Sequence, residues 1–224
     1  MKEYLQPTRF LDFDSEIVRT FVSDNLTGED HRQQAVSLYY AVRDQIRYNP
    51  YSYLTGPDGM KASSVLAAKN AFCVPKALLL AACCRAVGIP AAPGFADVRN
   101  HLASQKLREM MRSDLFIFHG YTAIWLAGKW VKATPAFNLS LCQKFDVKPL
   151  EFDGTKDSLF HPFDNQGRQH MEYVRDHGIR PDLPLEEMLA AWQREYPHWF
   201  NGEMAAGTPG NLEKELEEDR RSSQ

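Results

Sequence analysis

The strongest constraint on this chain is a helical run that is apolar on every side. Residues 73–87 read Cys-Val-Pro-Lys-Ala-Leu-Leu-Leu-Ala-Ala-Cys-Cys-Arg-Ala-Val, followed by Gly88 and Pro90. A helix without a polar face cannot lie on a surface, so it must form the centre of a domain. Pro75 suits an early helix position, where its missing N–H costs nothing. Gly88 supplies the C-terminal stop. The other elements must pack around this rod.

Residues 15–24 place Ile17, Val18, Phe21 and Val22 at helical spacing, with Ser15 as the cap. Asp30 to Tyr48 carries Ala35, Leu38, Tyr39, Val42 and Ile46 on one face, and Asn49-Pro50 stops it. A turn-rich stretch over 51–61 leads to a short helix at 64–68, capped by Ser63. Beyond the central helix, 91–99 suits a strand. Residues 104–111 suit a short polar helix or lid, opened by Arg99 and His101. The run 116–126 is rich in β-formers, 127–129 makes a turn, and 130–134 returns, giving a hairpin that Pro135 ends. Residues 136–181 have aromatic and acidic residues but little periodicity, and are expected to wrap across the sheet. Residues 185–196 form a last amphipathic helix. The order is helices first, then an antiparallel sheet, with one buried helix at the centre: an α+β fold.

Composition excludes several partners. Lys and Arg are scattered among acids and the net charge is only −3, so no basic stripe offers a nucleic-acid surface. No run approaches the roughly 18 to 20 apolar residues that span a bilayer. The N-terminus has no apolar core like a signal peptide's, so a cytoplasmic location without membrane attachment is expected. Four cysteines, Cys73, Cys83, Cys84 and Cys142, are expected to be reduced. There is no Cys-x-x-Cys or His-x-x-x-His spacing. His161, His170 and His177 also lack helical metal spacing, so no metal site is expected.

Chemistry converges on Cys73. A cysteine acts as nucleophile through its thiolate, and a helix N-terminus or a nearby imidazolium favours that form. Cys73 stands where irregular chain meets the buried helix, so unpaired N–H groups of the first turn are expected near its sulfur. His119 is the best partner, held on a strand beside Gly120, which permits close approach of another backbone. Cys83 and Cys84 read as core, and Cys142 as structural. Tyr48, Tyr51 and Tyr53 flank Asn49-Pro50 in the loop before the nucleophile.

Two blocks carry a family resemblance. The first is Val65-Leu66, then Cys73, then Ala77-Leu-Leu-Leu-Ala-Ala82, then Arg85-Ala-Val-Gly-Ile-Pro-Ala91. The second is His119-Gly-Tyr-Thr-Ala-Ile-Trp-Leu-Ala-Gly-Lys-Trp-Val131. Together they resemble the transglutaminase-like superfamily, which includes transglutaminases, peptide N-glycanases and many microbial cysteine proteases. The resemblance implies a papain/transglutaminase-like fold in a single domain over 1–201, with its core at 30–140, while the Gly, Pro and dense charge of 202–224 point to a polar, mobile tail or a solvated helix. In related folds the Asn49-Pro50 loop approaches the active site.

The resemblance also implies acyl transfer or hydrolysis at an amide, ester or thioester carbonyl, through an acyl-enzyme on Cys73 with His119 as base and acid. No cofactor is implied, and no acidic calcium loop is visible. The partner would be a peptide, a protein or a small acyl substrate.

Three departures stand out. Ala71 and Phe72 replace the family's Gly and its Trp or small residue. Thr134 stands where the family has the aspartate that orients the histidine. Thr134 itself, a substitute such as Asn138, Glu151 or Asp153, or loss of activity are the open readings. A catalytically silent module that binds a peptide or protein is the alternative function. Acyl transfer from coenzyme A to an arylamine is a weaker third, since no basic cluster for the nucleotide phosphates stands out.

Overall fold

The computed structural model describes residues 1–100, 104–160, 167, 171–201 and 211–222. His101, His161 and His170 lie outside the described residues. The chain opens with α1 (Glu16–Asn25) and α2 (His31–Gln45). A two-residue strand β1 (Arg47–Tyr48), then α3 (Ala62–Ala68), precede β2 (Asn70–Ala71), which pairs with β1 in parallel. Next come α4 (Cys73–Ala86), β3 (Ala91–Asn100), α5 (Gln105–Met111) and the hairpin β4 (Leu115–Leu126) with β5 (Lys129–Ala133). The chain continues through α6 (Leu139–Phe145), β6 (Met171–Ile179), α7 (Leu185–Glu195) and α8 (Leu212–Ser222). Strand order in the main sheet is β5-β4-β3-β6, antiparallel throughout.

The central rod is α4, and every residue from Val74 to Arg85 is buried. Leu78, Leu79 and Leu80 have no exposed surface, and each such burial contributes about 1.5–3 kcal/mol. The helix ends in a Schellman turn. Gly88, at φ 77°, lets Ile89 N–H reach Cys84 O and Gly88 N–H reach Arg85 O, both at 3.0 Å. One face of β3 and β4 packs on α4. On the other face, Ala96, Val98, Tyr121 and Ala123 form a second cluster with Ala136, Leu150 and Phe160 of the wrapping segment.

Two cations inside this core explain why an apolar helix tolerates them. Arg85 donates to Ala91 O at 2.8 Å, Gln6 O at 2.8 Å and Pro181 O at 2.7 Å, tying three distant segments to α4. The Arg residue in the family-like block therefore has a structural role. Lys76 is fully buried and its Nζ donates to Arg43 O and Ile46 O, carbonyls left over at the end of α2. Burial pulls the Lys76 pKa down to about 7, against the opposing pull of Asp44.

Several boundaries differ from expectation. Helix α2 stops at Gln45, and Tyr48 enters a short strand because its N–H is claimed by Asn138 Oδ1 at 3.0 Å. Ser63 is not a cap; it lies inside α3, and both its N–H and its hydroxyl bond the Asp12 carboxylate. The wrapping segment contains α6 and an edge strand, β6. That strand hides from sequence patterning because its pairing with β3 shifts register twice. Within the tail, α8 is a helix whose Leu212 and Glu215 are buried.

Lys76 predicts a pH dependence of stability. Its folded pKa lies below the unfolded value of 10.5, so the folded state binds fewer protons between about pH 7 and 10. The Lys76 contribution to stability should therefore rise with pH across that window, by at most about 1.4 kcal/mol per pH unit, while the buried thiols, whose pKa values burial raises, oppose it at the alkaline end. Urea melts at pH 7, 8 and 9 should show a stability difference between wild type and Lys76→Met that shifts toward the wild type as pH rises. Parallel curves would contradict it.

Candidate active site

Cys73 is the first residue of α4, and Phe72 in extended backbone precedes it. The start of the helix is pressed against β4 at Gly120. A Cβ on residue 120 would lie 2.7 Å from Val74 Cα and 3.1 Å from Cys73 O. Only glycine permits this approach, and it brings the Gly120 N–H to the Cys73 thiol as a hydrogen-bond donor. The amides of Val74 and of Cys73 itself add to it. This is the helix-terminus arrangement expected from the sequence.

The electrostatic outcome is nevertheless the reverse of the expected one. Burial pushes the Cys73 thiol up to about 11, and the three N–H groups only moderate that rise. His119 is 6% exposed, and burial pulls its imidazole down to about 4. Dipoles at a helix start do not offset desolvation here, where no charged partner among the described residues faces the pair. The resting site thus holds a neutral thiol and a neutral imidazole. Cys73 as a residue is only partly buried, and it lines a cleft.

Cys73 and His119 line one half-open cleft, which encloses about 500 Å³ including the solvent at its mouth. Helix α5 gives one wall through Leu107, Met110 and Met111. Trp192, Tyr196 and Trp199, from and just beyond α7, give another. Phe72, Phe116 and Phe118 complete the interior. Among the described residues no Asp, Glu, Lys or Arg lines it. The segment read as a polar helix or lid is helix α5, capped by Ser104, whose hydroxyl also bonds Glu215 of α8 at 3.3 Å. Of the loop tyrosines, Tyr48 lines the cleft, whereas the Tyr51 hydroxyl is bonded to Glu215.

The position of the third residue is unusual. Thr122 pairs with Ala133 and donates its hydroxyl to Ala77 O on α4. Side chains alternate across a strand, so Thr134 falls on the opposite face, the one shared by Tyr121 and His119. Both the Thr134 hydroxyl and His119 Nε2 are buried without a hydrogen-bond partner among the described residues. Phe160 packs on the His119 ring at 5.1 Å. The Tyr173 hydroxyl is close enough to Thr134 to be influenced by it, without a bond of normal geometry.

The substitute orienters are occupied elsewhere. Asn138 accepts from Tyr48 N–H at 3.0 Å and donates to Ser140 Oγ at 2.7 Å. Glu151 holds the Tyr40 hydroxyl at 2.6 Å and Arg43 at 3.3 Å. Asp153 is turned to Thr155. The amide of Asn138 fixes the chain before α6, a task its position after the hairpin did not reveal.

Cys83, Cys84 and Cys142 are buried, and all four thiols are free. Among the described residues no group of three or more His, Cys, Asp and Glu is placed to hold a metal ion, and no helix is long and apolar enough to cross a membrane. Sequence reasoning missed the aromatic wall, since a helical stripe does not say what it faces. It also missed an Asp97–His177 pair, whose members lie far apart in the chain.

The core model of the transglutaminase-like superfamily matches residues 19–135, just over half of the chain. This span contains α4, β4 and β5, and the chain belongs to that superfamily. Comparison with curated proteins gives no match. A solved structure of a suspected cysteine protease from Cytophaga hutchinsonii is similar at 14% identity, with a TM-score of 0.45. The likeness covers 78% of this chain and 53% of that one, so this chain spans about half its length.

Restoring a carboxylate tests the geometry around His119. Thr134→Asp should raise the His119 pKa from about 4 and lower that of Cys73 from about 11. Each unit corresponds to about tenfold in the charged form. NMR titration of the imidazole and thiolate absorbance would read both. A folded variant with unmoved pKa values would place Thr134 out of reach of His119.

Proposed function

We propose that this protein is a cysteine-dependent acyltransferase or hydrolase that takes an apolar acyl group and forms an acyl-enzyme on Cys73. The observation that carries this reading is the shared cleft: Cys73, seated under the Gly120 N–H, and His119 line the same uncharged, aromatic-walled space. A pure binder has no chemical need to keep thiol and imidazole together.

The neutral resting pair favours general-base catalysis over a preformed thiolate–imidazolium pair. His119 takes the thiol proton as Sγ attacks the carbonyl carbon of an amide, ester or thioester. The carbonyl oxygen becomes negative, and amides at the start of α4 are the nearest fixed donors to it. As the tetrahedral adduct collapses, the bond to the leaving group breaks and His119 returns the proton to that group. A thioester remains. Water or an amine then attacks it, giving its proton to His119, and the carbon–sulfur bond breaks to restore the thiol. No step requires a cofactor. The walls disfavour a charged acyl chain, because a desolvated charge would find no partner among the described lining residues.

The unpartnered Thr134 hydroxyl and His119 Nε2 favour the second reading, a silent module that binds an apolar peptide or protein segment. Iodoacetamide labelling from pH 4 to 10, mapped to Cys73 by mass spectrometry, separates the two. The enzyme reading expects labelling that rises as His119 loses its proton, near pH 4 to 5, and that falls at least tenfold at pH 7 in His119→Ala. A profile that follows the thiol alone toward pH 11, indifferent to His119→Ala, would favour the binding module.

A further inference from the structure

Strand β4 does not run straight into His119. Its register with β3 shifts between Ala96 and Val98, and the β3 register with β6 shifts at Phe95/Ala96 and at Asp97/Val98. Phe118 sits at φ 57°, a conformation unfavourable for a bulky side chain. A bulge of this kind bends a strand and re-aims its side chains. It also frees backbone groups from the ladder, and buried ones must find other partners.

Those partners are side chains. Asp97 Oδ1 accepts from Phe118 N–H at 3.1 Å. The Tyr196 hydroxyl accepts from Ile117 N–H at 3.0 Å and donates to Leu115 O at 2.6 Å. Trp192 Nε1 reaches Ile117 O at 3.4 Å. The same Asp97 oxygen is bonded to His177 Nε2 at 2.7 Å, and both side chains are largely buried. The His177 ring is stacked on the Phe118 ring, with centroids 4.5 Å apart and planes 19° from parallel. Asp97 therefore holds the backbone of the bulge while His177 holds its ring.

We propose that Asp97 and His177 are positioning residues for His119: by fixing Phe118 in the bulge, they aim the next side chain into the cleft. His119 itself is in ladder register with Ala96, on the face it shares with Tyr121, so what the bulge sets is the angle at which the chain at Phe118 enters that ladder and carries the His119 ring to the cleft. This inference rests on the reading of His119 as the base, and it assigns a task to a His–Asp pair that itself lies outside the cleft lining. A pair that merely ties β3 to β6 would stabilise the sheet without governing the imidazole.

The test compares Asp97→Ala with Asp97→Asn, whose side-chain oxygen can still accept from Phe118 N–H. NMR titration of His119 is read together with Cys73 alkylation. The expected result is a His119 pKa near 4 in the wild type and in Asp97→Asn. In Asp97→Ala it should move toward the ordinary value of 6.5, with alkylation at pH 7 at least tenfold slower. Adding Asp97→Ala to His119→Ala should cause no further slowing, since coupled residues are not additive. A folded Asp97→Ala with an unmoved His119 titration, or with equal slowing in both backgrounds, would overturn the proposal. If Asp97→Ala fails to fold, His177→Ala is read in the same way, because it removes the stack and one partner of the carboxylate. If His119→Ala leaves alkylation unchanged, the enzymatic reading fails, while the titration still decides the positioning.

Discussion

The close seating of the α4 N-terminus on Gly120 is the contact from which the rest of the site follows. It joins the buried helix to the sheet at the point where no side chain can intervene. The Cys73 sulfur is thereby set under a strand amide, and His119, the neighbour of that amide, shares its cleft. Polar groups along α4 serve the same end: Lys76 takes up the last carbonyls of α2, and Arg85 ties the loop at Gln6 and the chain at Pro181 to the rod. Each draws surrounding chain onto a helix that offers no polar face to water.

Such a dry site has an electrostatic consequence. Desolvation disfavours both charged forms, thiolate and imidazolium, and only an acid beside the imidazole would counter it. Thr134 carries no charge, so the neutral pair prevails. Water or a bound substrate can complete the hydrogen bonding of His119 Nε2 without bringing charge. In the proposed reaction the proton therefore moves during attack, not before it. The aromatic walls are consistent with that regime, since an apolar acyl group entering the cleft displaces water without leaving a charge unpaired.

The sequence was most informative where local pattern and tertiary packing agree. The run from Cys73 to Val87 announces a buried helix, the turn at 127–129 announces a hairpin, and the two blocks around them announce the superfamily. Strand β6 escaped because an edge strand with two register shifts and half-exposed side chains carries no clean alternation. Helix α6 is a short helix of two turns within aromatic chain, too short for periodicity to declare. That Cys73 and His119 come together in one cleft was legible from residue type and position. Their protonation was not, because the balance between three amides and burial depends on what the wrapping segment covers. The Asp97–His177 pair was invisible for a similar reason: it exists only through the pairing of β3 with β6.

The most direct test of the central claim is to trap the acyl-enzyme. The protein would be mixed at pH 7 with the p-nitrophenyl ester of an unbranched six-carbon acid and, separately, with that of succinic acid, and the adducts mapped by peptide mass spectrometry. The account predicts a hexanoyl thioester on Cys73, little succinyl adduct, and loss of the hexanoyl adduct in His119→Ala. No acylation of Cys73, or equal acylation with and without His119, would contradict it.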